Sequence, residues 1–315
     1  MSDYVAPSPN KITEDLLRII SEWDENGYQG AYNIRQDSLC VGRSSSEHVK
    51  IEPEEGGSGL EIYVDPGTKG ETVFIPACIS KGGVDDLVYN DFHIGEDADV
   101  TIVAGCGVHN ADHETSKHNG IHRFFLAPHS HVLYQEKHVG TGEGDGKRII
   151  DPVTDAYLEE GAVLEMETSQ IGGVDHTVRT TRGKLGKEAK LIIHESILTD
   201  GEQYAKTDFE VDMDGEDSAV DLISRSVAKD DSYQEYHSSI RGNTRCTGHS
   251  ECDAILVGNG KVNASPALLG ADLDAHLIHE AAIGKVAGEQ ILKLRSMGLT
   301  DEEAEQKIID GFLRG

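Results

Sequence analysis

The residues best suited to chemistry in this chain are a cysteine and, 27 and 28 positions later, an adjacent histidine and glutamate: Cys252, His279 and Glu280. Thiolate, imidazole and carboxylate are the groups that hold iron or zinc in proteins. Strand-like sequence follows Cys252 at 254–257 and precedes His279 at 275–278, and the hydrophilic stretch before Cys252 predicts a thiol near a strand end. Because adjacent residues of a strand point to opposite faces, only one of His279 and Glu280 would face Cys252, unless the chain bends or a second subunit contributes.

Two further groups beside Cys252 hint at a metal site. Cys246 and His249 lie within the same seven residues, and Cys106 is another sulfur or metal candidate. However, the sequence contains no second CxxC-type pair that would complete a tetrahedral zinc site. The chain has an odd number of widely spread cysteines, at 40, 78, 106, 246 and 252, which argues against a disulfide framework and for a reducing compartment.

A histidine-rich tract is the other candidate for metal chemistry. Eight histidines fall within 46 residues, at positions 93, 109, 113, 118, 122, 129, 131 and 138. His109 and His113, and likewise His118 and His122, have the i,i+4 spacing that clamps zinc on a helix, but the residues between them are typical of loops. We therefore favour surface and strand-pairing histidines, with a zinc-binding sensor or enzyme as the alternative.

Composition excludes several classes of function. Among 315 residues, 57 Asp and Glu outnumber 28 Lys and Arg, and a formal charge of −29 repels nucleic acid and anionic membranes. The start lacks a signal-peptide pattern and no run of 18 apolar residues occurs, so we expect a cytoplasmic protein. No Walker A loop, GxGxxG turn or GxSxG elbow is present, so the chain shows no ATP site, dinucleotide site or serine-hydrolase elbow of its own.

The elements that must position these residues change along the chain. An amphipathic pattern predicts a helix over 12–23, and short β-branched runs punctuated by Gly, Asp and Asn follow from about residue 35. A small residue opens a strand at Ala98, Ser130, Ala162, Ala189 and Ser218, with spacings of 32, 32, 27 and 29 residues. Strands that recur at a near-constant period without helices between them favour stacked coils of a parallel β-solenoid; a β-sandwich is the alternative.

The end of the chain is predicted to be a helical hairpin. Its first helix covers 284–297, and Thr300 with Glu303 forms a capping box that starts the second helix. Ile308, Ile309 and Phe312 belong to an apolar stripe on that second helix. The hairpin buries this stripe either in its own protein or in the groove of a partner.

Several of these segments together resemble the SufB/SufD family of iron–sulfur cluster scaffold proteins. The matching segments are 105–109 (GCGVH), 120–123 (GIHR), 224–230 (SRSVAKD), 248–254 (GHSECDA), 279–285 (HEAAIGK), 288–290 (GEQ), 298–300 (GLT) and 311–313 (GFL). The resemblance implies a mainly β fold, a right-handed parallel β-helix with a short N-terminal helix and a C-terminal helical hairpin. It implies an N-terminal helical segment at 1–35, a β-helix core at 36–275 and a C-terminal helical segment at 276–315.

The resemblance also implies a function. Scaffolds of this family pair through their β-helices, and each binds an ABC-type ATPase, SufC, through its C-terminal helical region. Cys252, His279 and Glu280 then become ligands of a transient iron–sulfur cluster at the interface, and a homodimer would supply both halves of the site. The expected ATPase-docking residues are Ile291, Leu294, Ile308, Ile309 and Phe312. A sulfur donor and recipient apoproteins are further implied partners, whereas the short N terminus leaves flavin binding open; a β-helix enzyme acting on polysaccharide is the remaining alternative.

Overall fold

The computed structural model describes residues 8–54, 58–286 and 288–314, and strands make up 58% of the structure. The elements in chain order are α1 (Lys11–Ile20), β1 (Ala31–Gln36), β2 (Leu39–Ser44), β3 (Val49–Pro53), β4 (Gly59–Val64), β5 (Lys69–Ile79), β6 (Asp85–Ile94), β7 (Asp99–His109), β8 (Ser116–Leu126), β9 (His131–Thr141), β10 (Arg148–Ile150), β11 (Val153–Leu158), β12 (Val163–Gln170), β13 (His176–Leu185), β14 (Lys190–Thr199), β15 (Tyr204–Met213), β16 (Ser218–Ala228), β17 (Tyr233–Gly242), β18 (Cys246–Leu256), β19 (Lys261–Gly270), β20 (Ala275–Gly284), α2 (Gly288–Ser296) and α3 (Asp301–Arg314).

The strands form two sheets that face each other. Sheet A has the order β2-β1-β5-β7-β9-β12-β14-β16-β18-β20, and sheet B has the order β19-β17-β15-β13-β10-β8-β6-β4-β3, with β11 also between β8 and β13. From β5 to β20 every pairing is parallel and joins a strand to the one that lies a coil earlier. The molecule is thus a parallel β-solenoid of about 8 turns, which confirms the predicted fold class.

The repeat seen in the sequence marks one corner of each coil. Its five small residues precede or begin strands of sheet A, and each is at most 1% exposed: Ala98, Ser130, Ala162, Ala189 and Ser218. A corner that turns the chain into the next strand leaves little room for a side chain, so alanine and serine recur there.

Inward-facing side chains of neighbouring coils lie in register and fill the space between the sheets. One such row along sheet A is almost fully apolar, and its members are buried: Ile102, Tyr134, Met166, Ile193 and Leu222. Each large apolar side chain taken out of water stabilises the fold by about 1.5–3 kcal/mol. The stacking of such rows therefore holds the coils together.

Helix α1 covers the outer face of sheet A at β5, β7 and β9. Asn10 caps it by accepting a 2.8 Å hydrogen bond from the Thr13 amide, and Leu16, Leu17 and Ile20 are buried. The predicted helix extended to residue 23; it ends at Ile20, because the backbone turns into the left-handed region two residues later, at Glu22.

Both C-terminal helices are present, and the first of them begins later than predicted. The segment expected to be helical from 276 starts as strand β20, which continues to Gly284, because its backbone pairs with β18 over ten residues. The capping box of the second helix is confirmed: the Thr300 amide donates to Glu303 Oε2 at 2.8 Å, and the Glu303 amide donates to Thr300 Oγ1 at 3.1 Å. Across the described ranges, every helix is too short or too polar to cross a membrane.

Candidate functional site

Cys252 lies inside the solenoid, in the middle of β18. Its register partners are Ser224 on β16 and Ala281 on β20, and it is 1% exposed. Burial, with smaller contributions from Glu195 and Asp253, raises the pKa of its thiol to about 12. The expectation of a thiol near a strand end is therefore wrong: the hydrophilic residues before Cys252 belong to the same strand and alternate between its two faces.

His279 and Glu280 point to opposite faces of β20, as the alternation of a strand requires. His279 pairs with Ser250, which puts it on the inward face with Cys252, two residues along the strand. The Nδ1 atom of His279 is buried and has no hydrogen-bond partner among the described residues. Glu280 is exposed on the outer face and is the register partner of Glu251. The structure thus brings His279 towards Cys252 and leaves Glu280 outside.

The coil that covers Cys252 is the last one of the solenoid. Strands β19 and β20 are the final members of sheets B and A, and each is paired on one side only within the described part of the chain. Inward-facing apolar residues of these strands are exposed, with Leu268 at 38% and Ile283 at 41%. The thiol is therefore separated from solvent by a single, incompletely packed coil.

A polar row continues from Cys252 into the interior. Its members occupy equivalent positions on successive strands of sheet A: Glu136, Thr168, Glu195, Ser224 and Cys252. From sheet B, Arg179 donates to Glu136 Oε2 at 2.6 Å and lies 3.3 Å from Glu195 Oε1, and the Ser224 hydroxyl donates to Glu195 Oε2 at 2.9 Å. The solenoid therefore holds buried charge that is paired rather than isolated.

The pKa values of the two buried carboxyls in this row are shifted in opposite directions. Burial alone would raise the pKa of Glu136, but His138 and Arg179 together hold it well below its usual range. Burial dominates at Glu195 and raises the pKa of that carboxyl despite the nearby Arg179. Sequence reasoning did not identify Arg179 or either glutamate; only Glu195 carried a signal, as a charged residue whose strand neighbours at i±2, Ile193 and Ile197, are apolar.

The histidine tract divides between the inside and the outside of the solenoid. Three of its members are buried, namely His118, His122 and His138; they lie on paired strands, as interpreted, but inside the solenoid and not on its surface. His118 Nδ1 lies 3.0 Å from Asp86 Oδ2, and burial lowers the pKa of His122 to about 4. Both residues lie on strand β8 rather than a helix, so the i,i+4 zinc clamp does not form.

The lower-ranked candidates around Cys252 are not brought together. Cys246 is buried at the start of β18, about 20 Å along the strand from Cys252 at 3.3 Å per residue. His249 points to the outer face, where its Nδ1 lies 2.8 Å from Asp221 Oδ1. Cys106 lies on β7, five strands away from β18 in sheet A. These residues therefore do not form one site with Cys252.

The predicted ATPase-docking residues also differ in accessibility. Ile309 is 1% exposed, so it anchors α3 within its own molecule and is not available to a partner in this arrangement. Helix α3 contacts β14 and β16, and the Ser196 hydroxyl donates to the Leu313 carbonyl at 2.8 Å. The remaining predicted docking residues are half-buried: Ile291, Leu294, Ile308 and Phe312. Two residues that were not predicted, Leu292 and Met297, are 61% and 70% exposed.

Comparison with known proteins assigns this chain to a family. Residues 88–312 match the model of the SufBD core domain, described as SUF system FeS cluster assembly. A protein of Methanothermobacter thermautotrophicus named as an iron-sulfur cluster assembly SufBD family protein is 26% identical over 97% of this chain and 83% of its own length. A protein of the same family name from Methanocaldococcus jannaschii is 24% identical over 96% of this chain and 98% of its own length. A protein of the same family name from Archaeoglobus fulgidus is 26% identical over 86% of this chain and 72% of its own length. The chain belongs to the SufBD family of iron–sulfur cluster assembly proteins.

Proposed function

We propose that this protein is a homodimeric scaffold on which an iron–sulfur cluster is assembled as cargo, working with a SufC-type ABC ATPase. The observation that carries the proposal is the position of Cys252 and His279, which share the inward face at the end of the solenoid: His279 belongs to the last coil of the described structure, and Cys252 lies directly beneath that coil. Thiolate and imidazole are ligands for iron, and Glu280 adds a carboxylate on the outer face of the same strand.

The open coil also supports pairing of two copies. An exposed strand edge offers unpaired N–H and C=O groups to another chain, and the exposed Leu268 and Ile283 add apolar surface beside it. A formal charge of −29 makes contact between any two large surfaces of this protein unfavourable, so association needs backbone pairing and apolar burial of this kind. Two copies joined here would contribute two sets of Cys252, His279 and Glu280.

A sealed thiol requires a mechanism that opens the site. With a pKa of about 12 and 1% exposure, Cys252 is protonated and inaccessible at neutral pH, so it neither accepts sulfur nor binds iron until the last coil moves. The C-terminal helices follow β20 with only a short connection at residues 285–287. An ATPase that grips these helices can therefore pull directly on the strand that covers Cys252.

The remaining parts of the proposal follow from these two steps. The ATPase supplies the enzymatic activity and the scaffold supplies ligands. A sulfur donor delivers to the opened Cys252, and recipient apoproteins take the finished cluster in the cytoplasm. The docking surface comprises Ile291, Leu292, Leu294, Met297, Ile308 and Phe312, whereas Ile309 holds α3 in place.

Anaerobic reconstitution with iron and sulfide tests the cluster site. We expect wild type, mixed with the ATPase and ATP so that the last coil opens, to form a coloured cluster, read by visible absorption and by iron and sulfide counts per dimer. Cys252→Ala and His279→Ala should lose most of it under the same conditions. Cys246→Ala is the matched control, since it removes a buried thiol from the same face of the same strand. Equal cluster yield in wild type and Cys252→Ala would refute the assignment.

Capture of the ATPase tests the docking surface. Leu292→Asp combined with Met297→Asp should weaken binding of the purified ATPase, because both side chains are exposed on or next to α2. Leu273→Asp is the control, because Leu273 is fully exposed in the turn between β19 and β20, away from the helices. Equal retention of the ATPase by the helix variant and wild type would remove the helices from the interface.

A further inference from the structure

A second set of metal-ligand types lies inside the solenoid, well away from the last coil. Cys106, Glu136 and His138 are all buried, and one ligand atom from each lies within 4.8 Å of the others. The fold brings them together in a simple way. Cys106 on β7 is the register partner of His138 on β9, and Glu136 precedes His138 by two residues, on the same inward face.

The triad has an unpartnered donor or acceptor and lies beside a small space. His138 Nε2 is fully buried and has no hydrogen-bond partner among the described residues; it lies 3.3 Å from Glu136 Oε1 without hydrogen-bond geometry. Thr168 Oγ1 and Gln170 Nε2, on the register partners of Glu136 and His138, are also buried and unpartnered. A cavity of about 10 Å³ is lined by Cys106 but by neither Glu136 nor His138. A space of this size holds about one water molecule.

We propose that the Cys106 thiolate, the Glu136 carboxylate and His138 Nε2 bind one divalent transition-metal ion of the zinc or ferrous class. Sulfur, nitrogen and oxygen donors together suit these borderline ions better than Mg²⁺ or Ca²⁺. The site is separate from Cys252 and does not depend on an open last coil. It would give the interior a resident ion in addition to the cluster assembled at the edge.

Hydrogen bonds around the triad can adapt to the ion. Without metal, Arg179 donates to His138 Nδ1 at 3.2 Å, and Tyr134 donates to Glu136 Oε1 at 2.8 Å. Metal on Nε2 leaves the ring hydrogen on Nδ1, which can then no longer accept from Arg179, so that bond is lost. Arg179 keeps its 2.6 Å bond to Glu136 Oε2 and its 3.3 Å ion pair with Glu195. The Tyr134 hydroxyl already lies 3.2 Å from His122 Nδ1, which can accept from it in place of Glu136.

The charge of the region favours a cation. Two carboxylates, Glu136 and Glu195, face a single guanidinium, Arg179, in a buried space. When a divalent ion binds, the Cys106 thiol releases its proton to solvent, and the three anions then balance Arg179 and the ion. A neutral buried cluster is far less costly than one with an unpaired charge.

Cobalt(II) substitution in the full-length chain tests the site. Protein is unfolded with chelator, refolded anaerobically with Co²⁺ and desalted, so that access to a buried site does not limit loading. We expect about one Co²⁺ per chain with intense visible bands of tetrahedral geometry and near-ultraviolet thiolate-to-cobalt charge transfer. Zn²⁺ present together with Co²⁺ during refolding should compete for the site and reduce these bands. Cys106→Ser should abolish the charge transfer, and His138→Gln should weaken binding by roughly 100-fold.

Matched controls separate this site from the cluster site. Cys252→Ser should keep the cobalt spectrum of wild type, and His118→Gln tests whether any buried histidine of the tract would serve. Circular dichroism verifies that each variant refolds. Folded wild type without bound cobalt, or Cys106→Ser and His138→Gln with wild-type cobalt spectra, would overturn the proposal. Loss of the spectrum in Cys252→Ser instead would move the metal to the edge site.

Discussion

The two ends of the solenoid are finished in different ways. At the start, the outermost strands β2 and β3 pair antiparallel to β1 and β4, a register irregularity interrupts β1 between Ile34 and Arg35, and Pro53 ends β3. Bulges and prolines of this kind discourage further strand pairing. At the other end β20 is a regular ten-residue parallel strand with one free edge in the described structure. The contrast supports the proposal that two copies associate through the last coil rather than the first.

The helices at the two ends differ in the same sense. Helix α1 buries Leu16, Leu17 and Ile20 against sheet A, whereas no described residue of α2 is buried and α3 buries only Ala304 and Ile309. Elements with few buried apolar contacts open at lower free energy than the core. Helix α1 is therefore firmly packed against the solenoid, whereas α2 and α3 are packed against it by few buried side chains.

The largest expected difference between the ends is in thiol reactivity. Cys252 under the last coil and Cys78 under α1 are both buried, and burial raises the pKa of each thiol. At neutral pH a pKa of about 12 lowers the thiolate fraction of Cys252 by roughly 1000-fold relative to an ordinary thiol, and its reaction rate should rise as the pH rises towards that value.

Adding the ATPase with ATP should expose only one of these thiols. Mass-spectrometric counting of alkylated cysteines should show Cys252 becoming reactive while Cys78 stays protected, because only the last coil is connected to the docking helices. Both thiols becoming reactive together would indicate global unfolding, and neither reacting would remove the proposed opening step.

The second prediction concerns acid stability, which should depend on a histidine of the first half. His122 is buried, and its pKa of about 4 is below that of an unfolded histidine, so the unfolded chain binds more protons between these two values. Its contribution is complete above about pH 6.5 and is lost as the pH falls, by about 3 kcal/mol at pH 4. Urea unfolding at a series of pH values measures this loss of unfolding free energy.

One variant isolates the effect of that histidine. His122→Gln should reduce the loss of unfolding free energy between pH 7 and pH 4 by most of this amount, and wild type measured in the same buffers is the comparison. An unchanged pH dependence in His122→Gln would show that other groups carry the acid sensitivity.

The third prediction compares the two edges directly. Leu268→Asp introduces a charge into the inward face of the last coil, and we expect it to weaken the homodimer by at least about tenfold, or 1.4 kcal/mol. Leu39→Asp, at the 63%-exposed leucine of β2, should leave the dimer unchanged. Analytical ultracentrifugation of both variants decides; dimer loss in Leu39→Asp alone would place the interface at the first edge.

Much of this molecule was readable from its sequence, because a solenoid repeats its signals. The small residues from Ala98 to Ser218 mark the corners correctly, and strand alternation correctly implies that His279 and Glu280 diverge. What remained hidden depends on contacts between coils. Nothing local to Cys252 predicts that a whole coil covers it. Arg179 meets Glu136 and Glu195 only because β13 of sheet B faces β9 and β14 of sheet A across the interior. The predicted start of the first C-terminal helix at Gly284 was wrong for a similar reason, because the pairing of β20 with β18 overrides the local helix preference.

The last comparison concerns two glycines, one beneath α1 and one within α3. A Cβ at Gly105 would lie 2.7 Å from Ile20 Cβ, so Gly105→Ala should push α1 off sheet A and cost about 1–3 kcal/mol of unfolding free energy. A Cβ at Gly311 in α3 would meet nothing within 4 Å, and Gly311→Ala should stabilise that helix by up to about 1 kcal/mol. Thermal and urea unfolding measure both. Changes in unfolding free energy of opposite sign would establish that the contact of α1 with sheet A has no room for a methyl group, whereas α3 has. Equal destabilisation would show that α3 is packed as tightly as α1.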